Sequence, residues 1–407
     1  MTIYDLINGI SSGEFDEQLK ELYGTSDRNI MKNKARYISA AENFSRLYPE
    51  DEEIRVFSVG GAFGIGGMFT SQYGGKTLGA ALDADIIAIA ALNNTHEIHY
   101  ASEGIENFII DLKNLSECDD EDSVPAVKDF ISNLIEKNIK CDGFDIYVSS
   151  DKTSVSSISS SETAEILFDG VISSLFAPDE ADASGLSGIT SNPNLNHAVS
   201  ALGGFVLAEK SEYKKLSFDF TGSGYSICTV SSGNVCEMYS DRISGLSDIM
   251  NSVAAKMDAD TLADINKQDF FEMIPELRQK CSNHELLYAA CYYEESDSLD
   301  EAVEALGYGD TETFFDSLNR MWESSAVFFK DCTASDCYDI LLAAVMCRSI
   351  LGGSGAVGIN KGTVFAFVPD FLVGLLTSKI SGSFKDLLCR TYNFRYKGLC
   401  ELKKHLT

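Results

Sequence analysis

The stretch FSVGGAFGIGGMFTSQYGGK, residues 57 to 76, carries no charged side chain before Lys76. Together with the residues before it, RVFSVGGAFGI predicts a short apolar strand that runs into a glycine loop over residues 60 to 75. Glycine lets a backbone approach a phosphate or a sugar closely, so such a loop is typical of a binding site. A wide turn between two strands fits the pattern equally well, and the stretch lacks side chains that would perform chemistry.

The composition predicts a globular protein with two domains or one large two-lobed unit. The chain has 407 residues, of which 44% are hydrophobic, and single cores rarely keep growing at this length. Its 32 Lys and Arg residues against 62 Asp and Glu residues give a formal net charge of -30. Because nucleic acids and anionic membranes bind basic surfaces, we expect neither as a partner.

Cysteine usage and the opening sequence predict a cytoplasmic location. The 11 cysteines form no CxxC pair, which fits reduced thiols better than a disulfide framework or a zinc site. The opening MTIYDLINGISSGEFDEQLKEL contains Asp and Glu and lacks the apolar segment of a signal peptide. No apolar run approaches the roughly 20 residues that a membrane-spanning helix needs.

A serine-rich segment ahead of a predicted helix forms a second candidate site. GFDIYVSS, residues 143 to 150, predicts a strand that leads into DKTSVSSISSSETAEIL. Ser159 and Glu162 have the spacing of a capping box, which predicts a helix that begins just after the serines. Helix starts favour anions, although a solvated loop with an ordinary N-cap has the same pattern. The segment contains neither GxGxxG nor GxxxxGK[ST], so it gives no support for a Rossmann or Walker phosphate site.

The rest of the chain alternates helical and strand patterns, which predicts an α+β protein. Phe15, Leu19 and Leu22 recur at helical spacing, and Tyr23-Gly24 ends that helix. NLNHAVSALGG predicts a short helix that is followed by the strand GFVLAEK. LSFDFTGSGYSICTVSS predicts a second set of strands, residues 243 to 351 are mostly helical by spacing, and GTVFAFVPDF predicts a late strand.

The two loops and a later glycine-rich element, GGSGAVGINKGTVFAFV, resemble the motifs of galactokinases and, more broadly, of GHMP small-molecule kinases. FSVGGAFGIGGMFTSQYGGKTLGAALDADIIAIA resembles the first motif of a clostridial-type galactokinase-like branch. SISSSETAEIL resembles the second motif, and PNLNHAVSALGGFV corresponds by position to a further family helix. MWESS and GINKGTVFAFVP resemble the C-terminal motif. Each motif is degenerate, so the chain resembles a divergent member.

This resemblance implies a two-lobed α+β GHMP kinase fold with a ligand cleft between the lobes. Residues 1 to 210 correspond to the N-terminal lobe, which carries the galactokinase-like and serine-rich phosphate-loop motifs. Residues 211 to 407 correspond to the C-terminal lobe. Asp83 and Asp85 follow the first glycine loop, and we expect a structural role for them rather than a place in the pocket.

The resemblance also implies which positions have lost catalytic groups. Ala62 stands where the family has an arginine that stabilises the transferred phosphoryl group, and Asn196 stands where it has the catalytic aspartate. An amide cannot accept the proton of a sugar hydroxyl. The family residues that contact the sugar or shape its pocket correspond to Met68, Phe69 and Ser71.

The nucleotide loop implied by the resemblance is altered as well. Serines replace two family glycines, and Glu162 introduces a carboxylate beside the expected phosphates, where it opposes ATP unless the capping box holds it aside or a metal ion intervenes. The remaining hydroxyls, with Ser160 as the candidate Mg²⁺ ligand, could still hold a phosphate or the ion. The loop serines are Ser156, Ser157, Ser159, Ser160 and Ser161.

These positions predict a galactokinase-like protein whose family activity, ATP-dependent phosphorylation of galactose at the anomeric hydroxyl, has been lost. It would act as a sugar- or nucleotide-binding regulatory pseudokinase, with ATP and Mg²⁺ as the cofactors that the resemblance implies. One alternative is an active small-molecule kinase in which Met68 and Phe69 recognise a substrate less polar than galactose and water or His197 takes the proton. Another is a structural or interaction protein with an empty cleft. The sequence identifies no protein partner.

Overall fold

The protein is described from a computed structural model. The described residues are 1–49, 53–67, 70, 74–103, 105–113, 142–150, 158, 161–176, 193–232, 248–329 and 335–404. The helices are α1 (Ile3–Ser12), α2 (Asp16–Tyr23), α3 (Asp27–Leu47), α4 (Ser161–Phe176), α5 (Leu195–Leu202), α6 (Lys267–Leu277), α7 (Asn283–Tyr308), α8 (Thr311–Phe329), α9 (Ser335–Leu351) and α10 (Asp370–Ser383). Among the helices of these residues, none combines the length and the apolar character needed to cross a bilayer.

The strands belong to two sheets. The first sheet has the order β12-β1-β2-β5-β3-β4, with β6 paired to β2 and β7 paired to β6, and the second has the order β11-β8-β10-β9. The strands are β1 (Arg55–Gly66), β2 (Thr77–Leu92), β3 (Glu97–Ser102), β4 (Ile105–Asp111), β5 (Phe144–Ser150), β6 (Phe205–Glu209), β7 (Glu212–Lys215), β8 (Tyr225–Ser231), β9 (Ala356–Asn360), β10 (Thr363–Pro369), β11 (Leu388–Tyr392) and β12 (Cys400–Glu401).

Residues 60 to 66 of the glycine-rich stretch are strand, which corrects the first part of the predicted loop over residues 60 to 75. β1 continues through Gly66 and pairs with β2 in antiparallel register, so that Ala62 lies opposite Ala81. Register shifts at Gly60/Gly61 and Gly64/Gly66 mark two irregularities in this pairing. The backbone of the glycines hydrogen-bonds to a long neighbouring strand, and this pairing overrides their low strand propensity.

Several local predictions are confirmed. α2 ends at Tyr23 with Gly24 as its C-cap, α5 ends before Gly203, and β10 covers the predicted late strand. In contrast, only the end of LSFDFTGSGYSICTVSS forms a strand, β8. Phe220, which precedes β8, packs into an aromatic cluster with rings from both halves of the chain.

Helices cover both faces of the first sheet. On one face, α1, α2 and α3 pack against β1, β2 and β5. Tyr37 and Phe44 of α3 are among the buried residues of this contact. α4 packs against the opposite face with Ile166 and Val171. The boundary near residue 210 stays a prediction, and both β7 and the late strand β12 pair within the first sheet.

A buried ionic cluster joins three distant parts of the chain. The Asp85 carboxylate on β2 accepts hydrogen bonds from Arg36 of α3 at 2.6 Å and from Ser58 of β1 at 2.6 Å. Arg395, whose side chain is fully buried, lies 3.4 Å from the same carboxylate and donates to Ser58 at 2.7 Å. The Tyr23 hydroxyl also donates to Asp85. Asp85 is therefore structural, as predicted.

These contacts keep Asp85 ionised. Burial alone raises the pKa of this carboxyl, but the guanidinium groups of Arg36 and Arg395 and the hydroxyls of Ser58 and Tyr23 outweigh burial, so the pKa lies below its usual value. The ionised group therefore stabilises the folded state above the pKa of the unfolded chain. That contribution is lost as the pH falls through the lower pKa of the folded state.

We predict that Asp85→Asn lowers the free energy of unfolding by about 3–5 kcal/mol, because it leaves the buried Arg395 without its counter-charge. Urea denaturation at neutral pH measures this change. Asp260→Asn, at an exposed position, is the matched control and should change the stability by less than about 0.5 kcal/mol. A loss for Asp85→Asn as small as that of the control would contradict the structural role.

Candidate functional site

Ile158 of the serine-rich segment lies against β1 at Gly61. Ile158, a described residue of this loop, is buried in the cluster that also contains Phe63 and Ile65. A Cβ atom at position 61 would come within 2.4 Å of Cγ2 of Ile158. The glycine therefore leaves room for the Ile158 side chain against β1.

A second glycine gives α5 its place on the same sheet. A Cβ atom on Gly79 of β2 would lie 2.7 Å from Cγ2 of Val199 and 3.3 Å from the Leu195 side chain. Ala62 is only 1% exposed and belongs to an apolar cluster with Ala198 and Val199 of α5. The structure thus brings Ala62 and the helix of Asn196 together, with an apolar surface between β1 and α5.

The first turns of α4 and α5 meet through the carboxylate of Glu162. Its Oε1 accepts a hydrogen bond from Nδ2 of Asn196 at 3.0 Å and a longer one from Nδ2 of Asn194 at 3.5 Å. Its Oε2 accepts from the Ser161 hydroxyl at 2.8 Å. The N-termini of α4 and α5 both favour an anion at this place, and the carboxylate of Glu162 is that anion.

The His197 ring is engaged at both nitrogens. Nδ1 accepts a hydrogen bond from the backbone N–H of Asn194 at 3.2 Å, so the geometry assigns the ring proton to Nε2. Nε2 then donates to Oε2 of Glu165 at 3.0 Å, and the side chain is 6% exposed. In this arrangement His197 caps its own helix and holds Glu165, and it offers no open lone pair to a substrate.

The structure describes some of the site residues predicted from the sequence and not others. Ala62, Ser161, Asn196 and His197 lie on β1, α4 and α5 as described above. The predicted sugar-pocket and remaining phosphate-loop positions lie outside the described residues, and so does the Ser159 partner of the predicted capping box. These positions are Met68, Phe69, Ser71, Ser156, Ser157, Ser159 and Ser160.

Sequence reasoning missed the two asparagine contacts. Asn194 is the N-cap of α5, and its side chain accepts from the backbone of Asn196 and His197. An asparagine directly before LNHAV is a recognisable N-cap signal. No local signal connects Glu162 with Asn196, because 34 residues separate them in the chain.

The fold is similar to solved structures of small-molecule kinases. The sequence matches no protein-family model, and no curated protein is significantly similar to it. The galactokinase of Lactococcus lactis, solved in complex with galactose, aligns with a TM-score of 0.72 over 89% of this chain and 98% of its own, at 17% identity. The mevalonate kinase of Methanococcus jannaschii aligns with a TM-score of 0.58 over 83% of this chain and 98% of its own, at 13% identity.

A third structure, the mevalonate diphosphate decarboxylase of Staphylococcus aureus, aligns with a TM-score of 0.52 over 86% of this chain and 99% of its own, at 12% identity. At such identities the similarity establishes the fold and nothing more. The chain has the α+β fold of the GHMP kinases, as the sequence predicted. The resemblance to a clostridial galactokinase-like branch stays a prediction.

We predict that Gly79→Ala destabilises the protein by about 1–3 kcal/mol, because the added methyl group overlaps Val199 and pushes α5 from the sheet. Val199→Ala removes the overlapping methyl groups, so the double variant should lose less stability than the sum of the two single variants. Urea denaturation of all four proteins gives the coupling energy. Simple additivity would contradict the close contact between β2 and α5.

Proposed function

We propose that this chain is a galactokinase-like protein that binds a small polar molecule, a sugar or a nucleotide, and transfers phosphoryl groups poorly. One observation carries the proposal: at the position that corresponds to the catalytic aspartate, Asn196 uses its amide to donate to Glu162. An amide does not take up a proton in the pH range of enzymes, so it cannot act as the general base. His197 does not replace it, because both of its nitrogens are engaged.

The surroundings of Ala62 support the same proposal. Its methyl group is buried in an apolar cluster with Ala81, Ala198 and Val206. A phosphoryl group in transfer needs positive charge around its equatorial oxygens, and this cluster supplies none. Among the described residues, the two positions that correspond to the family's base and arginine, Asn196 and Ala62, offer neither a proton acceptor nor a positive charge.

The described residues fit Mg²⁺ better than they fit a bare nucleotide. Ser161 offers a hydroxyl and Glu162 a carboxylate, which are hard oxygen ligands of the kind that Mg²⁺ takes. These two residues would hold the ion, and its charge would screen Glu162 from the nucleotide phosphates. Without the ion, Glu162 would repel the phosphates at the start of α4.

A second candidate function is an active kinase in which Glu162 serves as the base. The observation that favours it is the same 3.0 Å contact, because it places a carboxylate next to the amide of Asn196. A carboxylate within hydrogen-bond reach of an acceptor hydroxyl can take its proton. The two candidates differ in whether transfer occurs and in whether it depends on Glu162.

We predict that labelled phosphate passes from Mg²⁺-ATP to sugars and polyols, galactose included, about 10²–10⁴-fold more slowly than with an active galactokinase, because the general base is missing. The transfer assay is run beside calorimetric titrations of each sugar and of Mg²⁺-ATP, and at least one of these should bind. Transfer that is comparable to the control and is lost in Glu162→Gln would establish the second candidate instead. Binding of neither ligand class would refute both.

We also predict that ATP binds only with Mg²⁺, because the ion must offset the charge of Glu162 beside the phosphates. Calorimetry with Mg²⁺ and with EDTA measures this dependence. Glu162→Gln removes the charge and should allow some ATP to bind in EDTA, whereas Glu304→Gln, at an exposed position on α7, should behave like the unaltered protein. Equal ATP affinity with and without Mg²⁺ in the unaltered protein would contradict the prediction.

A further inference from the structure

A cavity lies in the C-terminal half, apart from the residues discussed above. It has a volume of about 350 Å³ and is lined by α8, by the end of α9 and by the turn before β9, which is within the size range of small-molecule sites. On α8, Leu318 and Met321 pack in the core, whereas Asp316, Asn319 and Arg320 line the cavity. The cavity therefore opens on the outer side of this helix.

Two arginines give the cavity an anion-binding character. Arg348 from the last turn of α9 and Arg320 from α8 both line it. Each guanidinium is paired with a glutamate, Arg348 with Glu323 and Arg320 with Glu301, and all four side chains are between 41% and 61% exposed. Exposed ion pairs contribute only about 0–1 kcal/mol to stability. A phosphate group that forms bidentate hydrogen bonds with the guanidiniums can therefore displace the glutamates at little cost.

The turn between α9 and β9 leaves space for a ligand beside these arginines. Gly353 lines the cavity with a φ angle of 93°, and a Cβ atom added there would meet no atom within 4 Å. Asn319 fixes the turn to α8, because its side chain donates to the Gly355 carbonyl and accepts from the Val357 N–H, both at 3.1 Å. Asn319 thus holds in place the turn that bounds the cavity, and at Gly353 this turn presents no side chain to a ligand.

The sequence of this turn, GSGAVG over residues 353 to 358, has GxGxxG spacing, yet it follows a helix and enters a strand. A dinucleotide fingerprint requires the opposite order, a strand followed by a helix. The N–H groups of Gly352 and Ser354 satisfy the carbonyls of Arg348 and Leu351, so these two amides are not directed to a ligand. Recognition of an anion therefore depends on the two guanidiniums.

The acidic residues of the cavity restrict the ligand further. Asp316 lines it, and Glu323 does so as well and would lose its arginine partner when a phosphate binds. Carboxylates beside a bound phosphate disfavour a purely anionic ligand, but they accept hydrogen bonds from hydroxyl groups. The combination of two guanidiniums and two carboxylates matches a molecule with a phosphate at one end and hydroxyls along its length.

We propose that this cavity is a binding site for a phosphorylated polyol, such as a sugar phosphate, separate from the candidate cleft. Arg320 and Arg348 hold the phosphate, while Asp316 and Glu323 accept hydrogen bonds from the hydroxyls. The inference stands on the residues of the cavity and does not require the proposed function of the cleft.

Calorimetric titration of the full chain tests this site with glucose 1-phosphate, glucose 6-phosphate and galactose 1-phosphate, and with glucose and inorganic phosphate as partial ligands. We expect at least one sugar phosphate to bind more tightly than either partial ligand. Arg348→Gln should weaken that binding by about 10- to 100-fold, the range that a charged hydrogen bond contributes. Arg278→Gln, which removes an equal charge from an exposed position outside the cavity, should leave it unchanged.

Three results would overturn the proposal: no saturable binding of any sugar phosphate, binding that Arg348→Gln leaves intact, or inorganic phosphate that binds as tightly as the sugar phosphates. The second result would place the ligand outside this cavity, and the third would leave a bare anion site. Asp316→Asn tests the contact with the hydroxyl end of the ligand. It should weaken the binding of a sugar phosphate and leave the binding of inorganic phosphate unchanged or slightly tighter. Thermal unfolding of each variant confirms that the fold is retained.

Discussion

The carboxylate of Asp85, enclosed between two guanidinium groups, is the contact on which the arrangement of the first sheet depends. A charge in the interior is tolerated only when its partners are in place, and here the partners come from residues 49 and 310 positions away in the chain. The N-terminal helices and the last segment of the chain must therefore both close on β2. The pairing of β12 with β1 is consistent with this closure.

Once β1 and β2 are fixed, their glycines determine what packs on them. Ile158 approaches β1 where Gly61 has no side chain, and Val199 approaches β2 where Gly79 has none. These two contacts fix where Ile158 and α5 pack on the first sheet, Ile158 in the cluster of Phe63 and Val199 in the cluster of Ala62. In the described residues, the glycine-rich stretch serves close packing of a strand, and its influence on the site is indirect.

The side chains placed on the fold set the chemistry of the site. The first turns of α4 and α5 meet at the carboxylate of Glu162, which accepts hydrogen bonds from both. A fold supports many activities, since function depends on the side chains placed on it. The burial of Ala62 and the two engaged nitrogens of His197 are therefore features of this chain that the similarity of the backbone does not reveal.

The sequence by itself determined the elements whose signals are local. The end of α2 at Gly24, the extent of α5 and the strand β10 follow from spacing and capping within a few neighbouring residues. Motif resemblance also indicated the fold, because the motifs keep their order along the chain. The same local signals misjudged Gly60–Gly66, since glycine has low strand propensity and only the pairing with β2 makes this segment a strand. Tertiary structure alone decided the contact of Glu162 with Asn196 and the meeting of Arg320 with Arg348 in one cavity. Each of these depends on side chains from separate helices, whose distance in space is set by packing and leaves no periodic pattern in the sequence.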